Sequence, residues 1–388
     1  MIERLRPNPE ELKIGLFSAY PMDGVNGGVQ DNIRHCARFL ENMGHQVIIV
    51  APRYGLVSKH SNIVYLGQGR KFPRIEGTTA IFDPLPSVGL FRQVQEFKRK
   101  HPLDIAHYHE PEIFAAALLH LLKSESALNV VTFHAVKKGI LLYLLLTPLV
   151  PFYKDKIDAR IAVSKAAREF VSKYFPGEYQ IIPNGVDTSR FNPDTPKIER
   201  FSDGKLNILY VGRLEERKGV NHLIEAYATL RKGPAGIRLI IAGSGPLEGR
   251  LRKQVEMGKI ADVCFEGQIP ACTLPSYYRT ADICSFPAIH GESFGIVLLE
   301  AMASRKPIVA GNNPGYRGLI THELNGFLVD PADTLQFTNH MQILLNSQNL
   351  REQFGENGRK KAEGYDWKVV CKQLLDLYQT KLRDKKLI

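Results

Sequence analysis

Two carboxylates eight residues apart, Glu292 and Glu300, stand in the stretch His290-Gly291-Glu292-Ser293-Phe294-Gly295-Ile296-Val297-Leu298-Leu299-Glu300-Ala301-Met302-Ala303. From Phe294 to Met302 nearly every position is apolar, which reads as a helix hydrophobic all round and therefore buried. A carboxylate inside such a helix is costly unless it is paired, so Glu300 requires a donor from the rest of the chain or from a ligand. Glu292 precedes the helix in a Gly-flanked turn. With Ser293 as N-cap, Glu292 lies beside the free backbone N–H groups and the positive end of the helix, where an anion such as a diphosphate is favoured. At ~1.5 Å rise per residue the two carboxylates are roughly 12 Å apart, about the span of a nucleotide sugar from hexose to ribose. Both ends of such a molecule are polyols, and carboxylates accept hydrogen bonds from vicinal hydroxyls. The same spacing also suits a turn residue and a core ion pair with no ligand.

These residues need strands and helices to hold them. Lys13 to Ser18 reads as a buried first strand, followed by a loop from Asp23 to Gln30 and a helix through Asn42. In that loop Gly27 and Gly28 let the backbone approach a phosphate, although the dinucleotide glycine spacing is absent. Strands follow at His45 to Val50, Asp104 to His109, Val130 to His134 and Asp158 to Val163, alternating with helical stretches in a doubly wound α/β pattern. Ligands in such sheets bind beyond the carboxyl ends of the strands, where His109-Glu110 and Thr132-Phe133-His134 fall. A lone histidine in either place serves equally as a core or turn residue.

After a polar, proline-interrupted linker from Asn192 to Gly204, the strand Leu206 to Val211 leads into Gly212-Arg213-Leu214-Glu215-Glu216-Arg217-Lys218-Gly219. Arg213 and Lys218 at a strand end supply the fixed positive charge that a leaving diphosphate needs. Arg217 has no role assigned by the pattern. Leu239 to Ala242 runs into a glycine turn, Phe265 to Pro270 follows another strand, and Ala281 to Phe286 delivers the Glu292 stretch.

The chain has 388 residues, more than one hydrophobic core usually fills, so two domains are expected. Net charge +11 points to an anionic partner, whether nucleotide, lipid surface or nucleic acid. That charge does not single out one half, because residues 1–190 hold 24 Lys+Arg against 18 Asp+Glu and residues 191–388 hold 27 against 22. Any membrane contact must therefore rest on clustering. Val88 to His101 forms a basic amphipathic helix with Phe91, Val94 and Phe97 on one side and Arg92, Lys98, Arg99 and Lys100 elsewhere. An ordinary solvated helix packed on the sheet has the same pattern. Lys137 and Lys138 precede the apolar run from Gly139 to Phe152, which is too short to span a membrane and is broken by Pro148 and Pro151. The five scattered cysteines fit reduced thiols, and the polar opening from Met1 to Glu11 carries no secretory signal, so a cytoplasmic protein is expected.

Glu-Ser-Phe-Gly-Ile-Val-Leu-Leu-Glu-Ala-Met-Ala, from Glu292 to Ala303, resembles the paired-glutamate signature of retaining nucleotide-sugar glycosyltransferases of family 4. Gly27-Gly28-Val29-Gln30, His109-Glu110-Pro111, Thr132-Phe133-His134, Ile182-Pro183-Asn184-Gly185-Val186-Asp187 and Tyr365-Asp366-Trp367 extend the likeness, which within the family is nearest to bacterial phosphatidylinositol mannosyltransferases. The resemblance implies the GT-B fold, two Rossmann-like doubly wound domains facing across a cleft, with a C-terminal helix crossing back to the first domain. It implies an acceptor-binding domain over 1–190, a nucleotide-sugar-binding domain over 191–364 and the returning helix over 365–388.

By the same resemblance Glu292 holds the transferred sugar, Glu300 the ribose, and Arg213 and Lys218 the diphosphate, with Gly27 and Gly28 nearby. Gln268 and Ile269 pass the base, Ser293, Phe294, Gly295 and Ile296 complete the donor site, and His134 stands near the transferred sugar and the acceptor. Gln30, His109, Lys137, Lys138, Arg92, Lys98, Arg99 and Lys100 are the candidates for acceptor and membrane. The implied partners are a nucleotide sugar, GDP-mannose or a UDP-sugar, and an anionic lipid at the inner face of the plasma membrane, with no nucleic acid. No Asp-x-Asp motif calls for a metal, and Mg2+ on the diphosphate stays open. A soluble or polysaccharide acceptor is the alternative within the family. A non-catalytic sugar-nucleotide-binding protein is the alternative outside it, and a broken Glu292, Glu300, Arg213 and Lys218 set would mark it.

Overall fold

Lys13–Ser18 (β1) is buried at every position after the first, the pattern of a strand covered on both faces. In this computed structural model, which describes residues 10–23, 27–55, 62–73, 79–82, 88–110, 127–134, 156–231 and 236–387, the chain forms two units. Unit 1 comprises Met1–Asn184 and Trp367–Ile388, and unit 2 comprises Gly185–Asp366.

In unit 1, β1 is joined by β2 (Gln46–Arg53), β3 (Ile63–Gln68), β6 (Ile105–His109), β7 (Leu128–Phe133), β8 (Ala159–Ala162) and β9 (Gln180–Ile181). They form one parallel sheet in the order β3-β2-β1-β6-β7-β8-β9. A short antiparallel pair, β4 (Arg70–Pro73) with β5 (Thr79–Phe82), stands apart. One face of the large sheet is covered by α1 (Gly28–Asn42) and by the C-terminal helix Trp367–Asp384. That helix contributes Trp367, Val370, Leu374 and Tyr378 to the same core as Ile14, Leu16, Ile33 and Leu40. The other face is covered by α2 (Val88–Lys100), whose Leu90, Val94 and Phe97 pack with Phe17, Tyr108 and Phe133. Phe91, expected on the apolar side of α2, is instead exposed. The helix spends its apolar face on the sheet, as an amphipathic helix of a globular unit does. Lys137, Lys138 and the run Gly139 to Phe152 lie outside the described residues.

Unit 2 holds β10 (Leu206–Val211), β11 (Ile237–Ala242), β12 (Val263–Gly267), β13 (Ile283–Phe286), β14 (Ile308–Gly311) and β15 (Gly326–Val329). They form a second parallel sheet in the order β12-β11-β10-β13-β14-β15. The stretch Asn192 to Gly204, expected as a linker, is packed into this unit: Phe201 is buried, and the Ile198 amide donates to the Thr280 hydroxyl at 2.8 Å. The two ends of the unit are tied together, since the Val186 amide donates to the Tyr365 carbonyl at 2.9 Å and the Thr188 amide to the Asp366 carboxylate at 3.2 Å.

Candidate active site

In unit 2 the chain runs from β10 outward through β11 and β12, then returns to β10's other edge with β13 and continues through β14 and β15. The gap between β10 and β13 is therefore the switch point of the sheet. Loops leaving neighbouring strands diverge there and open a crevice at the carboxyl ends. The loop after β10 carries Arg213 to Gly219, and the loop after β13 carries Glu292. Gly219 has φ +65°, and a Cβ on it would lie 2.3 Å from the Pro287 carbonyl, so glycine is required where the two loops touch. The Ile289 amide donates to the Arg217 carbonyl at 2.8 Å and fastens them.

The Glu292 carboxylate, 10% exposed, takes Arg217 Nη1 and Lys218 Nζ on the same oxygen, each at 2.7 Å. Arg217 also donates from Nε to Glu215 at 2.9 Å, and Arg213 pairs with the other Glu215 oxygen at 2.9 Å. Burial by itself pushes the Glu292 carboxyl up, but the charges and hydrogen bonds of Lys218 and Arg217 outweigh it and hold the group below the ordinary glutamate range. Burial opposes the Arg217 charge, and Glu292 and Glu215 more than restore it. The cluster holds three cations and two carboxylates. Its excess charge sits on Arg213, whose side chain is 54% exposed and can meet an anion without breaking a buried contact.

The helix carrying Glu300 is Ile296–Ala303, and its N-cap is Gly295 with φ +102°, not Ser293. A Cβ at Gly295 would lie 2.8 Å from the Tyr316 ring, and Phe294 is buried 6.1 Å from the Tyr365 ring. The entry is thus a left-handed glycine turn wedged between aromatic rings, and Ser293 lies upstream of it. Helical rise consequently does not apply from Glu292 to Ile296, and the roughly 12 Å spacing does not follow. The helix is not buried all round, since Ile296, Val297 and Glu300 are half-buried, but Glu300 does meet a donor, the Tyr278 hydroxyl at 2.7 Å. Burial first, then the Glu300 charge, drives the Tyr278 phenol well above its ordinary value, so it remains a donor. Gln268, exposed, and Ile269, half-buried, follow β12, two strands from β10 on the same edge of the sheet.

Unit 1 has its own switch point between β1 and β6. Gly27 is the N-cap of α1, and its carbonyl accepts the Asp31 amide at 3.0 Å; Gly28 is the first helical residue. Gln30 is buried and reaches the Pro21 carbonyl at 3.4 Å. At the ends of β6 and β7, alternate residues place His107, His109, Thr132 and His134 on one face. His109 Nδ1 lies 2.8 Å from His134 Nε2, so one of the pair carries the shared proton. His107 stacks on His109 with ring centroids 4.4 Å apart and bonds Tyr378 and Thr132 at 2.7 and 2.6 Å. Burial pushes His107 down to about 3, with the His134 charge adding to it, and burial with both neighbouring imidazoles holds His109 well below its ordinary value. Behind them Glu110, at φ +57°, accepts the His134 amide at 2.7 Å.

Residues 26–190 match the family model described as Glycosyltransferase Family 4, and residues 191–361 match Glycosyl transferases group 1. A phosphatidyl-myo-inositol mannosyltransferase of Mycobacterium leprae is 31% identical over 371 residues, 95% of this chain and 97% of that one. This chain belongs to glycosyltransferase family 4.

Another relative of this family 4 glycosyltransferase, the phosphatidyl-myo-inositol mannosyltransferase of Propionibacterium freudenreichii, is 27% identical over 95% of the chain and 94% of its own. Among solved structures, Anabaena HepE in complex with UDP superposes with TM-score 0.77 at 18% identity, covering 95% of this chain and 100% of that one. Sucrose-phosphate synthase from Thermosynechococcus elongatus gives 0.74 at 20%, covering 96% and 99%. The two parallel sheets and these neighbours establish the two-domain α/β GT-B fold, and the family makes the protein a nucleotide-sugar-dependent glycosyltransferase.

Sequence reasoning about this glycosyltransferase missed three residues. Arg217 holds Glu292 from 75 positions away, and no local pattern announces it. Tyr278 is likewise distant from Glu300. His107 was detectable, because it sits two residues before His109 on a strand and must share its face. Among the described residues no cluster of three or more His, Cys, Asp or Glu could hold a metal ion, and no helix is long and apolar enough to cross a membrane.

Proposed function

We propose that this family 4 glycosyltransferase moves a hexose, with mannose from GDP-mannose first to be tested, onto a lipid-linked acceptor such as phosphatidylinositol at the cytoplasmic face of a membrane, retaining the anomeric configuration. The observation that carries the substrate class is the likeness, along 95% of the chain, to proteins named phosphatidyl-myo-inositol mannosyltransferase. The switch-point cluster of unit 2 supports the chemistry. In the proposed step the bond from the anomeric carbon to the diphosphate oxygen breaks and its electron pair stays on the phosphate. Arg213, already half exposed, and Lys218 neutralise that charge where it develops. The acceptor hydroxyl attacks from the same face and gives its proton to the leaving phosphate oxygen.

Glu292 orients the sugar hydroxyls, and Arg217 keeps it ionised and in place. Glu300, fixed by Tyr278, takes the ribose hydroxyls. Gln268 and Ile269 border the base, Ser293 to Ile296 form the turn under the sugar, and Gly27 and Gly28 offer backbone to the diphosphate. His134, held by His109, faces the acceptor side of the reaction. No carboxylate acts as nucleophile, unlike the paired acids of retaining hydrolases.

For the lipid surface, α2 presents Arg92, Arg99 and Lys100 exposed and Lys98 half-buried, next to Phe91 and a Val88 that is 73% exposed. Lys137 and Lys138 join this reading from sequence alone. The test is a transfer assay with labelled GDP-mannose and phosphatidylinositol vesicles, beside UDP-glucose and UDP-N-acetylglucosamine, each with and without EDTA. Labelled lipid from GDP-mannose alone supports the reading, and EDTA sensitivity assigns a divalent ion such as Mg2+ to the diphosphate. Donor hydrolysis without labelled lipid refutes the lipid acceptor and moves the search to soluble sugars and polysaccharides.

A further inference from the structure

Lys306 lies three residues beyond the Glu300 helix, is 7% exposed, and has no hydrogen-bond or ion-pair partner for its ammonium among the described residues. It does not cap the helix. The amides of Ser304, Arg305 and Lys306 already donate to the carbonyls of Glu300, Met302 and Ala301 at 3.1, 3.0 and 2.9 Å, and Arg359 takes the Ala303 carbonyl at 2.8 Å. The side chain is largely buried and its ammonium has no partner among the described residues, and burial and then Arg279 push its pKa down to about 8. Lys197 adds to that push, while Cys284 and Asp282 oppose it.

Lys306 lines an open cavity of about 670 Å³ together with Arg279, Ser304, Arg305, Glu352 and Glu356. Arg305 is engaged by Glu356 at 3.0 Å, whereas Arg279, like Lys306, has no partner among the described residues. The Ser304 hydroxyl is buried at the same wall with no hydrogen bond. Two mutually repelling cations beside an unused hydroxyl, with Asp282 acting on Lys306 from beyond ion-pair reach, make a setting that favours an anion. The volume exceeds what inorganic phosphate fills and falls among small-molecule sites, which run to roughly 300–1,000 Å³. We propose that this cavity is a second ligand site, binding the phosphoryl group of a phosphomonoester of sugar-phosphate size between Lys306 and Arg279. Glu352, exposed at the cavity, is then available to hydroxyls of the ligand body.

Isothermal titration of the full chain tests this, with glucose 6-phosphate and inorganic phosphate as probes at fixed ionic strength. Arg279→Gln and Lys306→Met should each weaken glucose 6-phosphate by about tenfold or more, while Lys218→Ala, in the Glu292 site, should leave it unchanged. At pH 8.5 binding should take up protons, seen as a dependence of the heat on the buffer, because the anion draws a largely neutral Lys306 back to the ammonium. The phosphomonoester itself, with a second pKa of about 6, is already fully ionised there. Unliganded Lys306→Met should melt no lower than the parent, since it removes an unpaired buried charge, which separates lost binding from lost folding. Unchanged binding in Arg279→Gln, or binding abolished by Lys218→Ala, overturns the site. Inorganic phosphate binding as tightly as glucose 6-phosphate overturns the assignment to a phosphorylated metabolite.

Discussion

Arg217→Met removes the one cation that touches both Glu215 and Glu292. Stripping a partner from a buried ion pair costs about 3–5 kcal/mol when the charge left behind has nothing else. Here each carboxylate keeps one cation, Glu292 its Lys218 at 2.7 Å and Glu215 its Arg213 at 2.9 Å, and the lost guanidinium is itself about a quarter exposed. The expected loss is therefore smaller, about 1–3 kcal/mol at pH 7, or roughly 2–10 °C in the melting of unit 2. The pH dependence separates this cause from a packing defect. Folded Glu292 titrates below its unfolded value, so its contribution is present above the ordinary glutamate pKa of about 4.3 and is lost as pH falls through the folded value. The gap between parent and variant should accordingly be full at pH 7 and narrow below about pH 4, read by urea unfolding across that range. Arg217→Lys, which can keep the Glu292 contact, should recover part of both stability and transfer rate. A Met variant within about 0.5 kcal/mol of the parent at pH 7, or a gap that persists at low pH, refutes the reasoning.

Lys218→Ala and Glu292→Ala should each lower transfer by about 100-fold or more while the circular-dichroism spectrum stays that of the parent; near-full activity in either contradicts its role. Gly219→Ala forces a side chain into φ +65° and against the Pro287 carbonyl. It should destabilise unit 2 by more than about 1 kcal/mol and depress activity through Lys218, measured by denaturant midpoint and transfer rate together. His107 is held neutral, with a folded value of about 3 against about 6.5 unfolded. Between those values the unfolded chain binds the proton that the fold refuses, so stability is full above about pH 6.5 and falls by about 1.4 kcal/mol per pH unit below it. From pH 7.5 to 5.5 the parent should lose about 1.4 kcal/mol more than His107→Gln, and equal losses would show that the imidazole is not shielded.

The central strands were legible because parallel sheets need continuous apolar runs, whereas the edge strands β3 (mostly half-buried) and β9 (two residues) and the β4–β5 pair carry no such run and were not. Leu206–Val211 forms over the very residues that the apolar run delimits. The order of strands was not legible, because pairing is non-local, and so neither was the switch point that brings the Arg213 loop beside the Glu292 loop. The start of the Glu300 helix shows how a correct preference can lose. Serine outranks glycine as an N-cap by side-chain hydrogen bonding, but that preference is worth little against a backbone that must turn left-handed with the Tyr316 ring 2.8 Å from where a Cβ would stand. Only glycine fits there, and the ring that makes it so lies 21 residues on in the sequence.

The same division runs through the site itself. A carboxylate in an apolar helix obliges some donor to exist, and that obligation is local, so the sequence alone reveals it. Which donor answers is decided by which helix packs there, and Tyr278 on Leu274–Thr280 answers for Glu300 as Arg217 and Lys218 do for Glu292. Lys306 carries the obligation in reverse. Its side chain is 7% exposed and lines the cavity, and none of the described residues supplies it with an ion-pair contact. An obligation of this kind that the fold leaves unmet is a stronger pointer to a ligand than charge alone, because a surface lysine is hydrated all round whereas Lys306, 7% exposed, meets the cavity in which the ligand would sit.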